Sequence, residues 1–360
     1  MTGGQLALLA GGGTGGHTYP AIAVADELVA RGWRVRFVGG RRGIEGRVVP
    51  AAGYEIDLLP GRGLQRRLTW ANVEALWSAV RALLGAVAIV RRARPGVVVG
   101  FGGYASLPCV AAARLLRVPV VVHEQDAAPG LANRIGVRLG ARPAVSLPGT
   151  PVPGAVLTGN PVRAEVAAVD RDPEVSPALV AIVSGSQGAR SVNEAAVACY
   201  DTWRDRTDLR VHHVTGPRYF DACAAAVAAA RRPSDALAYE VVPYEEHMDG
   251  LYRRAALAIC RAGAGTVAEL TAVGVPAVLV PLPGAPSDHQ TRNASTLEAA
   301  GAAVLLPDAD CDGPHLAALV AELVGHPARL EAMGVAARAL GRPDAAARVA
   351  DLVEGHARGA

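Results

Sequence analysis

Four glycine-rich turns, each directly after a short apolar run and directly before a helix-like segment, constrain this chain more than any other feature. They read Gly11-Gly12-Gly13-Thr14-Gly15-Gly16-His17, Gly102-Gly103-Tyr104-Ala105-Ser106, Ser184-Gly185-Ser186-Gln187-Gly188-Ala189-Arg190 and Arg261-Ala262-Gly263-Ala264-Gly265-Thr266-Val267-Ala268-Glu269. Glycine lets backbone approach a ligand closely, and a helix that follows offers unpaired N–H groups and a positive dipole end, so each turn is a potential anion cradle. In doubly wound sheets ligands sit at the carboxyl ends of the strands, where such turns lie. Tight strand–helix turns alone would also use glycine; four turns with polar side chains between the glycines point to a ligand.

The rest of the chain repeats the same alternation. Strands are predicted at residues 6–10, 34–38, 96–100 and 119–123, then at 179–183, 211–215, 239–242, 256–260, 277–280 and 303–306. Helices are predicted at 20–31, 73–94, 107–116, 315–324, 328–340 and 345–354. Continuous β-branched runs suit strands covered on both faces. Between 141 and 177 the pattern weakens and prolines gather (Pro143, Pro148, Pro151, Pro153, Pro161, Pro173, Pro177), which puts a domain junction near 161–176. A length of 360 residues fits two domains. The expected fold class is α/β: two Rossmann-like doubly wound parallel-sheet domains with a cleft between them.

Composition excludes several functions. A hydrophobic fraction of 51% with only 4% aromatics predicts aliphatic cores, and a net charge of +3 is too small for a dedicated nucleic-acid binder. Cys109, Cys199, Cys223, Cys260 and Cys311 form no CxxC pair, so neither a zinc site nor a disulfide framework is expected. The first apolar run leads straight into glycines, unlike a signal peptide. The apolar stretch 75–90 is broken by Arg81 and falls short of the ~20 residues a spanning helix needs, so the chain is expected to be soluble or peripheral.

Gly11-x-Gly13-x-x-Gly16 satisfies the dinucleotide fingerprint, which makes a nicotinamide-dependent oxidoreductase the first rival. That rival needs an acid at the end of the second strand to hold a ribose, but Gly39-Gly40-Arg41-Arg42 stands there. Arg41 could meet only the 2′-phosphate of NADP, so the fingerprint's context is half met.

Seven segments in one order carry a family resemblance. They are Gly12 to His17 with Pro20-Ala21; Gly102 to Ser106; His123-Glu124-Gln125; Gly159-Asn160-Pro161-Val162-Arg163; Gly185 to Arg190; Cys260 to Ala264 with Thr266-Val267 and Glu269; and Asp288-His289-Gln290 with Asn293-Ala294. With these the chain resembles the MurG family, inverting transferases that move N-acetylglucosamine from its UDP donor to a lipid-linked precursor and so complete lipid II. The resemblance implies a GT-B fold, with an N-terminal domain 1–163 completed by a helix at 343–358 and a donor domain 164–342. It implies that Thr14, Gly15, Gly16 and Asp126 lie beside the donor. Arg163, Ser186, Ala264, Gly265, Thr266, Val267, Ala268, Glu269 and Gln290 would hold UDP-N-acetylglucosamine. By position in the chain, Tyr104 and Ser106 are candidates for the acceptor side or the diphosphate side, and Asn133 for the acceptor. No cofactor and no metal are implied. The implied partners are the sugar nucleotide, a polyprenyl-diphosphate sugar acceptor, an anionic membrane surface approached from the cytoplasmic side, and other cell-wall synthesis proteins. Three positions depart from the family pattern: Asp126 for an asparagine, Ser184 for a glycine and Glu245 for an apolar residue. They leave room for a MurG-like enzyme acting on another lipid or a natural product. A non-catalytic sugar-nucleotide binder on the same fold is the reading from a different class.

Residue chemistry agrees with the resemblance. A helix opening near Gly263 can offer N–H groups to a diphosphate in place of a metal, and Glu269 is a natural acceptor for ribose hydroxyls. Inversion needs a base for the acceptor hydroxyl; His17 is the preferred candidate, the other reading being that it orders the loop or binds phosphate. His123 and Glu124 form a second acid/base pair, bind polar groups of the acceptor, or make a satisfied structural pair. Asp308-Ala309-Asp310-Cys311-Asp312-Gly313 suggests a metal loop, but its twelfth position is Leu319, and Asp and Gly favour turns. His212 and His213 adjoin on a strand, point to opposite faces and cannot share a metal. Arg62, Arg66 and Arg67 before the apolar helix, with Arg91, Arg92 and Arg94 after it, suit either docking on anionic lipid or a packed helix with solvated ends.

Overall fold

A computed structural model describes residues 4–41, 43–60 and 71–358, and it divides into two units, Met1–Arg163 with Arg342–Ala360, and Ala164–Gly341. The expected basic cluster of Arg62, Arg66 and Arg67 lies outside the described residues, as does Arg42.

In the first unit the strands are β1 (Leu6–Ala10), β2 (Arg34–Gly40), β3 (Ile56–Leu59), β4 (Val97–Gly100), β5 (Val120–Glu124), β6 (Arg142–Val145) and β7 (Val156–Leu157). They pair in parallel in the order β3-β2-β1-β4-β5-β6-β7, so the winding reverses between β1 and β4. The second unit pairs β8 (Ala178–Val183), β9 (Leu209–Val214), β10 (Ala238–Val242), β11 (Leu257–Cys260), β12 (Ala277–Leu279) and β13 (Ala303–Leu305) in the order β10-β9-β8-β11-β12-β13, again all parallel. Its reversal falls between β8 and β11. Three of the four glycine turns follow β1, β4 and β8, and the fourth follows β11; these are the strands that flank the two reversals.

The continuous apolar runs have a simple cause. Every residue of β4, β5, β8 and β11 is buried, because helices cover both faces of each sheet. In the first unit one face packs α1 (Gly15–Ala30) through Ala21, Val24 and Leu28 onto Ala7, Leu9, Val97 and Val99. After α2 (Glu45–Ala51), α3 (Ala71–Ala93) and α4 (Ser106–Leu115) cover the opposite face, burying Ala86, Val90, Cys109 and Val110 against Leu8, Val98 and Val120. Next comes α5 (Leu131–Arg138). The second unit closes around Val180, Ile182, Trp203, Leu257 and Val278. All five cysteines of the chain are buried and unpaired, as small core residues.

Helix Ala345–Glu354 returns to the first unit and packs beside α1, burying Val349, Ala350 and Val353. Polar contacts lock it there: Arg31 donates to Asp351 (2.6 Å) and Glu354 (2.8 Å), and Trp33 Nε1 donates to Glu354 Oε1 (2.9 Å).

Two differences from the sequence-based expectation have physical reasons. The stretch 141–157 holds β6 and β7, although its prolines suggest loop; the edge strand β7 pairs only with Ala144 and Val145, so Pro143 lies where β6 itself is an edge, and proline is tolerated there. Helix α1 starts at Gly15 rather than Pro20, with Pro20 inside it. Thr14 is still extended (φ −140°, ψ 163°), so Gly15, Gly16 and His17 form the first helical turn instead of a loop.

Candidate active site

The carboxyl ends of β1, β4 and β5 bring three turns together. The turn after β4 approaches the first turn so closely that a Cβ on Gly103 would stand 2.1 Å from the carbonyl oxygen of Gly12, and the φ of Gly103 is +75°; only glycine fits both conditions. Gly13 and Thr14 are exposed at the mouth of this pocket of backbone, with Gly15, Gly16 and His17 half-buried behind them.

Glu45, at the first position of α2, holds this turn from beneath. Its buried carboxylate accepts the Gly13 N–H at Oε2 (2.8 Å) and the Gly40 N–H at Oε1 (2.8 Å), tying the end of β1 to the end of β2. Glycines jacket it: a Cβ on Gly12, Gly39 or Gly43 would come within 2.2, 2.4 or 1.9 Å of the Glu45 side chain. The motif reading overlooked Glu45. The ribose-holding acid of a dinucleotide site is absent from the end of β2; the acid that stands nearby serves the loop's own backbone. The signal for it was the run of glycines at 39, 40 and 43, which admits a buried side chain of this size.

His17 Nδ1 lies 3.2 Å from Gln125 Oε1, and Gln125 Nε2 donates to the Phe101 carbonyl (3.0 Å). Of the readings open for His123 and Glu124, the structural pair fits their surroundings. His123 is fully buried, its Nε2 2.9 Å from the Gly159 carbonyl and its Nδ1 3.2 Å from Gln125 Nε2; burial pushes its pKa down to about 4. Glu124 is buried too, and its carboxylate accepts the Gly130 N–H (2.8 Å), the Asp126 N–H (3.2 Å) and Asn133 Nδ2 (2.9 Å); burial raises its pKa against those hydrogen bonds. Together they brace the turn after β5. Asn133 and Ser106, expected on the acceptor side, are likewise buried, and Asn133 Nδ2 also donates to the His123 carbonyl (3.0 Å). Tyr104 is partly exposed and donates to the Pro60 carbonyl (3.0 Å), while Asp126 is half-exposed beside the same turns.

In the second unit the donor candidates all lie at the carboxyl ends of the neighbouring strands β8, β11 and β12. Ser186 is exposed in the turn after β8. Helix Ala264–Val273 begins after an extended Gly263 (φ −68°, ψ 146°), which puts Ala264, Gly265 and Thr266 in its first turn, with Ala268 and Glu269 half-exposed and Ala264 and Val267 buried. Gln290 Oε1 accepts the Leu282 N–H (2.9 Å), which anchors the start of helix His289–Ala299 over the end of β12. Arg163 is the last residue of the first unit before the chain enters the second. Asp308, in the segment where a solvated loop is the expectation over a metal loop, is half-buried and engaged: it pairs with Arg261 Nη1 (2.5 Å) and accepts Ser191 Oγ (2.5 Å), and Arg261 also donates to the Val280 and Pro281 carbonyls. Among the described residues no group of His, Cys, Asp and Glu could hold a metal ion. Ser184 is buried, donating to Asn193 Oδ1 (2.6 Å), which also accepts from His213 Nε2 (2.8 Å).

His123 and His213 both sit at a pKa of about 4, mainly through burial. An unfolded histidine titrates near ~6.5. Below that pH the unfolded chain takes up protons that the folded chain refuses, so stability falls as pH drops from ~6.5 through about 4. Urea midpoints measured at pH 7.5 and 5.0 should therefore decline for the chain, and a midpoint unchanged between them would refute the two buried neutral rings.

The glycosyltransferase family 28 N-terminal domain matches residues 7–144, and the glycosyltransferase family 28 C-terminal domain matches residues 179–349. A UDP-N-acetylglucosamine--N-acetylmuramyl-(pentapeptide) pyrophosphoryl-undecaprenol N-acetylglucosamine transferase of Alkalilimnicola ehrlichii is 43% identical, over 98% of this chain and 99% of its own. The transferase of the same description from Acidothermus cellulolyticus is also 43% identical, over 96% of both chains. The crystal structure of Acinetobacter baumannii MurG superposes with a TM-score of 0.81 at 32% identity, covering 98% of this chain and 99% of that one. The two parallel-sheet units are thus those of a GT-B glycosyltransferase.

Proposed function

This chain belongs to the MurG family within glycosyltransferase family 28, and from that premise we propose that it moves N-acetylglucosamine from UDP-N-acetylglucosamine to the 4-hydroxyl of undecaprenyl-diphosphate-linked N-acetylmuramyl-pentapeptide, with inversion at the anomeric carbon. The observation that carries the proposal is the 43% identity running over nearly the whole of both chains to transferases of that description.

Each unit has a task in this reading. The donor is held on the second unit, where the first-turn N–H groups of helix Ala264–Val273 face the diphosphate and Glu269 takes the ribose hydroxyls. Ser186, Gln290 and Arg163 complete that hold. On the first unit, Thr14, Gly15 and Gly16 present backbone at the turn after β1, and His17 takes the proton of the acceptor hydroxyl as that oxygen attacks the anomeric carbon. UDP leaves from the opposite face, its new charge stabilised by helix N–H dipoles.

The acceptor's lipid chain asks for a membrane surface, and α3 offers one. Trp77, Val80 and Leu84 are 66%, 40% and 63% exposed at i, i+3 and i+7, a single apolar stripe with exposed Arg81 beside it and Arg91 and Arg92 in the last turn. No helix among the described residues is long and apolar enough to cross a membrane, so α3 would lie in the interface. On this reading the protein works at the cytoplasmic face of the cell membrane, beside other cell-wall synthesis proteins. Burying one large apolar side chain is worth ~1.5–3 kcal/mol, so a Trp77→Glu, Leu84→Glu double variant should bind anionic vesicles at least ~10²-fold more weakly. Sedimentation with vesicles measures this, and unchanged binding would remove α3 from the membrane contact.

The deciding assay is transfer of labelled N-acetylglucosamine to membrane-extracted lipid I, with and without chelator. Transfer unaffected by chelator is expected. Release of UDP only with small soluble acceptors, and none with lipid I, would overturn the lipid assignment.

A further inference from the structure

The polar groups behind His17 form a chain in which each link dictates the proton position of the next. The carbonyl oxygens of Gly159 and Phe101 can only accept. His123 Nε2, 2.9 Å from the Gly159 oxygen, must therefore carry hydrogen, and the buried ring is neutral, so its Nδ1 bears the lone pair. The Gln125 side-chain atom 3.0 Å from the Phe101 oxygen must be the amide nitrogen, since an oxygen there would face another oxygen. The second hydrogen of that nitrogen points to the lone pair of His123 Nδ1 at 3.2 Å. Both requirements agree, and they turn Gln125 Oε1 toward His17 Nδ1, 3.2 Å away. An amide oxygen accepts, so His17 Nδ1 must donate, and in a neutral imidazole the lone pair is then on Nε2.

We propose that this buried relay, from the Gly159 carbonyl through His123 and Gln125, fixes His17 as its Nδ1–H tautomer and makes Nε2 the nitrogen that takes the proton of the acceptor hydroxyl. The proposal rests on His17 being the base. His123 and Gln125 are positioning residues: neither meets the substrate, and both act through the ring of His17. The relay accounts for two buried polar side chains at the end of β5, Gln125 and His123, that otherwise only brace a turn.

The test reads the tautomer directly. The full chain, labelled with 15N in its histidines, gives long-range proton–nitrogen spectra in which a protonated and a lone-pair ring nitrogen are distinct, and a His17→Ala spectrum identifies the His17 signals. With the His17 ring neutral, the hydrogen is expected on Nδ1. Gln125→Leu removes the acceptor; His17 should then shift toward the Nε2–H form, and turnover should fall toward the roughly 10²–10⁴-fold that a positioned general base contributes. Gln125→Glu keeps an acceptor facing Nδ1 and should retain the Nδ1–H form. Hydrogen on Nε2 in the unaltered protein overturns the relay, as does a Gln125→Leu protein with unchanged tautomer and turnover. If Gln125→Leu does not fold, the spectrum of the unaltered protein decides alone. Should His17→Ala keep full turnover while His17 is found as Nδ1–H, the base assignment fails and the relay stands.

Discussion

Replacing His17 with alanine is expected to lower turnover by roughly 10²–10⁴-fold, the usual contribution of a positioned general base. The effect should appear in kcat with lipid I as acceptor, while the affinity for UDP-N-acetylglucosamine, which the proposed function puts chiefly on the second unit, should change little. Neither His123 nor Glu124 is placed to take over the role. His123 has both ring nitrogens engaged inside the first unit, and the Glu124 carboxylate is spent on two backbone N–H groups and Asn133. Steady-state rates of the variant and the parent with saturating donor measure the loss. A fall of less than tenfold would mean that another group or a water takes the proton.

The second large effect is expected at Glu45. In Glu45→Gln the side chain keeps its shape, but one of its two acceptors becomes a donor and meets either the Gly13 or the Gly40 N–H head-on. Leaving one buried backbone donor unsatisfied costs ~1–3 kcal/mol. Glu45→Ala leaves both N–H groups unpaired and opens a cavity under the turn, and should cost about 3–5 kcal/mol. Because the same carboxylate holds the peptide at Gly13, transfer should also slow in Glu45→Gln under conditions where the protein is fully folded. Urea unfolding and donor-saturated rates read the two consequences separately. A Glu45→Gln protein equal to the parent in both would show that the turn after β1 keeps its place without this anchor.

The sheet pattern was legible because its central strands are buried on both faces, and burial of that kind writes itself as unbroken runs such as Leu6–Ala10 and Ala178–Val183. Strands β3 and β6 were missed for the converse reason. Ile56–Leu59 is only partly covered, and β6 carries Pro143 near the sheet edge, so neither shows the run or the composition of a strand. At the site, the glycine turns announced themselves, since a position such as Gly103 that presses on another backbone admits no other residue. The roles of the polar residues beside them were less readable. His17 and His123 both stand next to motif residues, but only the pairing of β5 with β4 and β6 shows that one is half-exposed in a first helical turn and the other sealed in the sheet. Glu45 was invisible to motif reasoning because its partners are main-chain atoms, which have no letter in a sequence.

The return of helix Ala345–Glu354 to α1 has a consequence for synthesis. A ribosome-bound chain that has emerged as far as residue 341 holds every strand of the second unit, yet the first unit still lacks the side chains that cover Val24, Leu28 and Arg31. The domain translated later can thus close first, and the one translated earlier waits with an open flank until the tail arrives. A tag or truncation that disturbs residues 342–358 should therefore injure the N-terminal domain, far away along the chain, and spare the C-terminal one beside it.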